Sequence, residues 1–393
     1  MTERHALVLG AGLAGAAVCA ALARRGWRLD LIDAADGPAR GASALPVGML
    51  SPHVTRAPTP LSRLSDLGVA DTRKELERLV PEGSGWQACD VENRGHAPGR
   101  WTAALVRPAA LVDAWLGEAT QLAGLQTRWN TRVSQLRFDP ANRIWQALDD
   151  TGALVARAST VVVAAAHGSL ALLQQGAGQT AESLPLRPVQ GQMSLGALDG
   201  EPLAARPQRD NGVFVPVYED RGLPPRWPSR IWTMGSTYER GASHCDTRNQ
   251  AHLRNLESLR ALCPLAAERM EQALNRGELL GWAQVRCASL DRLPLMGLIP
   301  HLDALHTRVQ EAGARRGRMP LSEVPRWPGL FSLTALGSRG LTLAHWCAQQ
   351  LARQMEGERP QWPLEHQDLL DALDPARFAW RLARRQPPPL RTT

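Results

Sequence analysis

The chain of 393 residues is nearly devoid of lysine: Lys74 is the only one, so the other 44 of its 45 basic residues are arginine. It has no C-x-x-C pair, and its six cysteines, at 19, 89, 245, 263, 287 and 347, lie far apart. That spacing excludes a thiolate metal cage or a disulfide frame and predicts reduced, mostly buried thiols of a cytoplasmic protein, with no metal. No apolar run reaches the length of a membrane span; the Ala-rich opening is broken by glycines and then by Arg24 and Arg25. No internal repeat is visible. The charge is not balanced: the net value is +7 and the isoelectric point near 9.6. Arginine-rich genomic composition accounts for part of this, and plain surface solubility is one reading. The other is a field that favours polyanions such as nucleic acid.

What the chain does have is concentrated in residues 6–33, ALVLGAGLAGAAVCAALARRGWRLDLID. Ala6–Leu9 reads as a first strand, Gly10, Gly12 and Gly15 follow in G-x-G-x-x-G spacing, Ala16–Arg25 reads as a helix, and Trp27–Ile32 as a strand ending in Asp33. Gly10 permits the tight turn, Gly12 admits a pyrophosphate to the backbone, and Gly15 lets the helix lie close on the sheet. The helix start offers unpaired N–H groups to phosphate, and Asp33 is placed to accept from a ribose. A secretory signal or a ligand-free glycine turn would use similar residue types; three glycines in register and the acid at the strand tip favour dinucleotide binding.

Further along, residues 34–52 read as an extended Gly/Pro/Ser loop, Leu61–Leu79 as a helix, and 86–101 as short strands. A helix is expected over Ala109–Leu122 behind Pro108, paired strands over Trp129–Arg137 and Ile144–Leu148, and a buried parallel strand over Ser159–Ala166 ending in His167–Gly168. From Leu184 to Tyr238, proline-broken alternation (Gly191–Leu195, Val213–Val217, Ile231–Met234) predicts a mainly antiparallel lobe. Helices follow over Arg248–Leu262 and Leu265–Leu274, then a strand over Trp282–Ala288. Residues 301–328 form an Arg-rich, poorly periodic insertion. Gly329–Leu336 is a strand, and Gly337–Ser338–Arg339–Gly340 opens a helix over Leu341–Met355. Nucleotide-type segments thus flank an inserted antiparallel lobe.

Taken together, Gly10-x-Gly12-x-x-Gly15, Gly41–Ala42–Ser43, the strand ending at Gly168, Arg286 with Asp291-x-x-Pro294-x-x-Gly297, and the last glycine loop resemble the D-amino-acid-oxidase/glycine-oxidase (DAO) family of FAD enzymes. Within it, PLRPVQGQMS (185–194), MGSTYERG (234–241), VRCASLDRLPLMG (285–297), ALGSRGLTLA (335–344) and ALDPARFAWRLARR (372–385) are similar to the FAD-dependent C-terminal module of bifunctional enzymes that build methylaminomethyl groups on tRNA wobble thiouridines. The resemblance covers nearly the whole chain but not the methyltransferase module of those enzymes. It departs at Ala44–Leu45–Pro46–Val47–Gly48, where a Gly-Asn-rich loop is usual, and at Gln190–Gly191–Gln192, where Arg-Gly-Gln is usual.

The resemblance implies an α/β fold, with a Rossmann-like, glutathione-reductase-like FAD domain (1–80, 105–175, 280–375) interleaved with a mainly antiparallel α+β substrate domain (81–104, 176–279), a basic insertion (301–328) and a disordered tail (386–393). FAD is implied to contact Gly10, Gly12, Leu13, Ala14, Gly15, Asp33, Ala34, Arg40, Gly41, Ala42, Ser43, Gly48, Met49, Val133, Ala165, Gly168, Arg286, Gly337, Ser338, Arg339, Gly340, Leu341 and Thr342. The implied reaction oxidises an N–CH₂–COO⁻ group to an imine that water splits into glyoxylate and an amine. Arg286 is the implied carboxylate clamp. Arg339 is a second candidate, which could instead reach an RNA phosphate. An ion pair with Asp291 is the competing reading for Arg286, and core packing is the competing reading for Thr237 and Tyr238. His167 and His345 are read as packing or cap residues. The implied substrate is tRNA held by its anticodon arm, with Arg315, Arg316 and Arg318 and the tail arginines Arg381, Arg384 and Arg385 as contacts, and a separate methyltransferase acting downstream. The alternatives are a free amino acid such as glycine, sarcosine or a D-amino acid, and a flavin-fold protein without turnover.

Overall fold

The computed structural model describes residues 4–313, 319–358 and 367–385. Its central sheet has six strands. β1 (His5–Leu9) lies parallel between β2 (Arg28–Ile32) and β10 (Thr160–Val163); β6 (Gln126–Arg128) extends the sheet beyond β2, and β18 (Arg326–Thr334) beyond β10. β17 (Leu295–Pro300) closes one edge antiparallel. Helix α1 (Leu13–Ala23) returns the chain from β1 to β2. All eleven of its residues are buried, because its glycine and alanines let the sheet, α3 (Pro108–Ala123) and α8 (Gly340–Met355) crowd it from every side. α2 (Pro60–Leu79) and α9 (Gln367–Leu373) complete that layer. The opposite face of the sheet is covered by a three-stranded meander, β7 (Gln135–Asp139), β8 (Ile144–Leu148) and β9 (Leu154–Ala158), with α4 (Ser169–Ala177).

A nine-stranded sheet forms the second layer. Its order is β15 (Glu239–Arg240), β11 (Leu186–Ala197), β14 (Arg230–Gly235), β13 (Gly212–Glu219), β12 (Gln208–Asp210), β4 (Trp86–Asn93), β5 (Gly99–Val106) and β3 (Gly48–Leu50), with β16 (Leu280–Ser289) also paired to β11. The period-2 alternation sorts its side chains: Phe214, Trp232 and Met234 face helices α5 (Asn249–Leu262) and α6 (Pro264–Asn275), while Val213, Val215 and Thr233 face the central cavity.

Some local expectations are corrected. Residues 129–134 are not strand, and β7 begins only at Gln135. The 34–52 loop contains β3, which pairs with β5 and so ties the nucleotide segment to the second sheet. The insertion is not featureless. Helix α7 (Leu302–Ala312) buries Leu305 and Val309 against Ala376, Ala379 and Ala383 of the segment containing α10 (Arg377–Arg385). That short i, i+4 stripe is convincing only beside a partner some seventy residues away, which is why periodicity alone missed it. Arg315, Arg316 and Arg318 and residues 386–393 lie outside the described residues. Among the described residues no helix is long and apolar enough to cross a membrane, and no cluster could hold a metal ion. The cysteines are all free; Cys19, Cys287 and Cys347 are buried and Cys245 is exposed.

Candidate active site

The carboxyl ends of β1, β2 and β10, the N-termini of α1 and α8, and the inner face of the nine-stranded sheet enclose one cavity of about 1140 Å³. Glycines shape its nucleotide end by close approach. Gly10 has φ +107, and a Cβ there would meet the Ala164 carbonyl oxygen at 2.6 Å; one on Gly15 would meet the Gly10 carbonyl oxygen at 1.8 Å. Neither α1 nor α8 has a side-chain cap, so both present N-terminal N–H groups toward the cavity. Ser43 Oγ accepts from the Leu13 N–H at 3.0 Å and stands beside Gly12. The Asp33 carboxylate accepts from the N–H groups of Ala11 (2.6 Å) and Ala35 (2.8 Å), which fixes it at the tip of β2.

Of the residues expected around FAD, Gly10, Gly12, Leu13, Ala14, Asp33, Ala34, Arg40, Gly41, Ala42, Ser43, Gly48, Met49, Val133, Ala165, Gly168, Arg286, Gly337, Ser338, Gly340, Leu341 and Thr342 all line this cavity. Two do not. Gly15 is spent on helix–strand contact, and Arg339 gives its backbone to the start of α8 while its guanidinium donates to His53 Nδ1 at 3.3 Å.

Arg286 projects from β16 into the cavity. Its Nη1 donates to Ser236 Oγ (3.1 Å) and its Nη2 to the Thr237 carbonyl (2.9 Å), and it lies 5.2 Å from the centre of the Tyr238 ring. Burial pulls its pKa below the usual arginine value, yet no carboxylate of the described residues pairs with it. The competing reading, an ion pair with Asp291, is not what forms. Asp291 is held by Arg377 through Nε (2.9 Å) and Nη2 (2.8 Å). That pair joins the two strings VRCASLDRLPLMG and ALDPARFAWRLARR across 86 residues, which no spacing rule would reveal. Thr237 is buried and its hydroxyl accepts from the Gln192 N–H (2.9 Å), whereas Tyr238 is 47% exposed at the rim. His345 is buried, with Nδ1 2.6 Å from Asp71 and its ring stacked on Trp115, away from the cavity.

Several lining residues escaped the sequence reading: Thr233, Ser236, Trp282, Thr131, Arg132 and Ser134. Alternation along the strands could have pointed to Thr233. Its hydroxyl is buried with no hydrogen-bond partner among the described residues, an orphan donor facing the cavity. Bare helix N-termini, a glycine-lined floor, a fixed ribose-type carboxylate and an orphan hydroxyl fit an elongated dinucleotide with a polar ring system.

A Rossmann-type sheet and a mainly antiparallel sheet sharing such a cavity define a dinucleotide-dependent redox protein. Residues 5–100 and 99–354 match the family of FAD dependent oxidoreductases (DAO), and the chain belongs to that family, with FAD as its cofactor. It is 34% identical over 414 residues to the tRNA 5-methylaminomethyl-2-thiouridine biosynthesis bifunctional protein MnmC of Polaromonas sp. (strain JS666), covering 94% of this chain and 59% of that protein. It is also 34% identical over 430 residues to the protein of the same name from Ralstonia nicotianae, covering 97% and 61%. The chain thus spans about three-fifths of the length of these relatives. Among solved structures, glycine oxidase from Geobacillus kaustophilus superposes with TM-score 0.67 at 18% identity (95% of this chain, 99% of that one). Iminodiacetate oxidase from Chelativorans sp. BNC1 gives 0.65 at 19% (92% and 98%). These two likenesses establish the fold.

Proposed function

We propose that the chain oxidises the carboxymethylaminomethyl group of the wobble (thio)uridine of tRNA to aminomethyl, releasing glyoxylate. The observation that carries this reading is the likeness to the MnmC proteins along 94–97% of the chain. Bound FAD supplies the hydride acceptor for the N–CH₂–COO⁻ methylene, after which water splits the resulting imine to amine and glyoxylate. The chain's own residues supply orientation. Arg286, desolvated and without a carboxylate partner among the described residues, offers its guanidinium fork to the substrate carboxylate, while Ser236 and the Thr237 carbonyl hold it still. Gly10–Ala14, Ser43 and Asp33 hold the dinucleotide, and the uncapped start of α8 puts partial positive charge on the cavity, where a ring accepting electrons is stabilised.

In this reading the substrate is held by its anticodon arm in the cytoplasm, and the aminomethyl product is consumed by a methyltransferase activity. Mass analysis of wobble nucleosides from a strain lacking the chain tests it. Carboxymethylaminomethyl-uridines should accumulate and aminomethyl-derived nucleosides should disappear. An unchanged nucleoside profile, together with rapid flavin reduction by glycine or sarcosine, would replace this reading with a free amino acid oxidase.

A further inference from the structure

Beside the cavity, around Tyr238, lies a second concentration of positive charge. Arg339 reaches His53 Nδ1 at 3.3 Å. Arg209 of β12 is fixed against the same segment, donating from Nη1 to Ser51 Oγ (2.6 Å) and the Pro52 carbonyl (2.9 Å), and from Nε to Asn93 Oδ1 (2.9 Å). Arg292 is exposed in the turn between β16 and β17, which the Ala288–Leu336 bridge and the Gly337 N–H to Cys287 carbonyl bond (2.8 Å) bring beside the turn that carries Arg339. Ser338 and Gly340, on either side of Arg339, line the cavity together with Tyr238 and Arg286, which sets the cluster beside the clamp end of the active cavity.

None of these three arginines forms an ion pair among the described residues, although the chain pairs most half-buried arginines other than Arg209 and Arg339 with carboxylates. The nearest acid in sequence, Asp291, is committed to Arg377. Burial first, and then Arg339, Arg209 and Arg292, push His53 down to about 4, so it stands neutral and can accept from Arg339. Gathering like charges in a partly desolvated place is unfavourable unless an anion completes it. Forked guanidinium donors suit the tetrahedral oxygens of a phosphate.

We propose that Arg209, Arg292 and Arg339, with His53, form a phosphate-binding subsite that takes the RNA backbone phosphate adjoining the oxidised nucleotide. This rests on the tRNA reading above. It assigns the rim cluster to the backbone and leaves Arg286 to the carboxylate. A free amino acid carries no group for it.

The test compares four substrates by single-turnover flavin reduction: the free carboxymethylaminomethyl-uridine nucleoside, its 5′-monophosphate, its 3′-monophosphate, and an undermodified anticodon stem-loop. They are applied to the wild type, Arg292→Asn and Arg292→Glu. Arg292 sits at φ 64, which asparagine readily adopts, so Arg292→Asn keeps the turn. In the wild type one of the monophosphates should bind on the order of ten-fold tighter than the nucleoside. That ratio should fall to roughly three-fold or less in Arg292→Asn and vanish in Arg292→Glu. The logarithmic salt slope of stem-loop binding should become shallower by about 0.7, the value for one neutralised phosphate of single-stranded RNA. Equal wild-type affinity for nucleoside and monophosphates, or a ratio retained in both variants, would overturn the subsite while leaving the tRNA reading standing. If no nucleoside, nucleotide or stem-loop reduces the flavin but sarcosine does, the tRNA reading fails and the subsite with it.

Discussion

Arg286 depends on what is missing from a neighbouring residue. A Cβ on Gly191, in the adjacent strand β11, would fall 1.8 Å from Arg286 Nη2 and 3.0 Å from the Thr237 carbonyl oxygen. Gly191→Ala should therefore displace the guanidinium without touching the flavin loops. Its reduction rate should drop, and in an Arg286→Ala background the same change should add almost nothing; full additivity in that double-mutant cycle would separate the two residues. Arg286→Ala itself should leave the flavin bound and cost about 2–5 kcal/mol in reduction of a carboxymethylamine, with Arg286→Lys recovering only part because it lacks the fork. Unaltered single-turnover rates would remove Arg286 from the site. At the other end, Gly12→Glu should abolish FAD binding, since its carboxylate would enter the pyrophosphate path beside Ser43. Normal flavin absorbance in the purified variant would displace the assigned nucleotide loop.

The elements that aim their N-termini at the cavity are tied together at a distance by a buried charge network. Glu75 of α2 accepts from Arg24 at the end of α1 (2.5 Å), Arg78 (3.1 Å) and the Trp115 Nε1 of α3 (2.9 Å), and lies 3.2 Å from His345 Nε2 of α8. Burial alone would raise its pKa; the Arg78 hydrogen bond, the His345 charge and Arg24 outweigh that and bring it to about 2. The folded value lies below the ordinary 4.5, so the stabilisation is fully present above about pH 4.5 and is lost as pH falls through about 2. Denaturation midpoints should thus decline between pH 5 and 2 in the wild type, more steeply than in Glu75→Gln. At neutral pH Glu75→Gln should be destabilised by about 2 kcal/mol, because Arg24 and Arg78 keep Glu118 as a partner but lose the charge-assisted hydrogen bonds to the Glu75 carboxylate. A Glu75→Gln protein that matches the wild type in urea at pH 7 would show the network to be inconsequential.

For the whole molecule, the net charge of +7 becomes an RNA-binding argument only once it is located. Helix α10 buries Ala379 and Ala383 against α7 and leaves Arg381 and Arg385 exposed. If the anticodon arm lies along this face, replacing both with glutamine should weaken tRNA binding several-fold. The salt slope should also fall by about 0.7–0.9 for each phosphate that is no longer neutralised. FAD absorbance and melting temperature should hold, since exposed charges contribute little to stability. Kd values across a salt series check this; an unchanged slope would place the tRNA elsewhere.

The nucleotide half of the site was legible because it is local. Gly10, Gly12, Gly15 and Asp33 belong to one strand–turn–helix–strand segment, and Gly337–Gly340 to one helix start, so spacing alone states how each backbone must bend and which N–H groups stay free. The antiparallel lobe set between nucleotide-type segments followed from strand and helix periodicity, and the fold class from the family resemblance. The substrate half is a product of strand crossing. Arg286, Gly191 and Ser236 come from β16, β11 and the segment after β14, and their juxtaposition exists only when β11 lies between the other two strands. Charge partnership obeys the same limit. Asp291 could pair with Arg286 on sequence grounds, and Arg339 could serve the carboxylate or a phosphate. The pairing of Asp291 with Arg377 and the turn of Arg339 toward His53 were decided by tertiary packing, because an ionic contact depends on distance in space and not on separation along the chain.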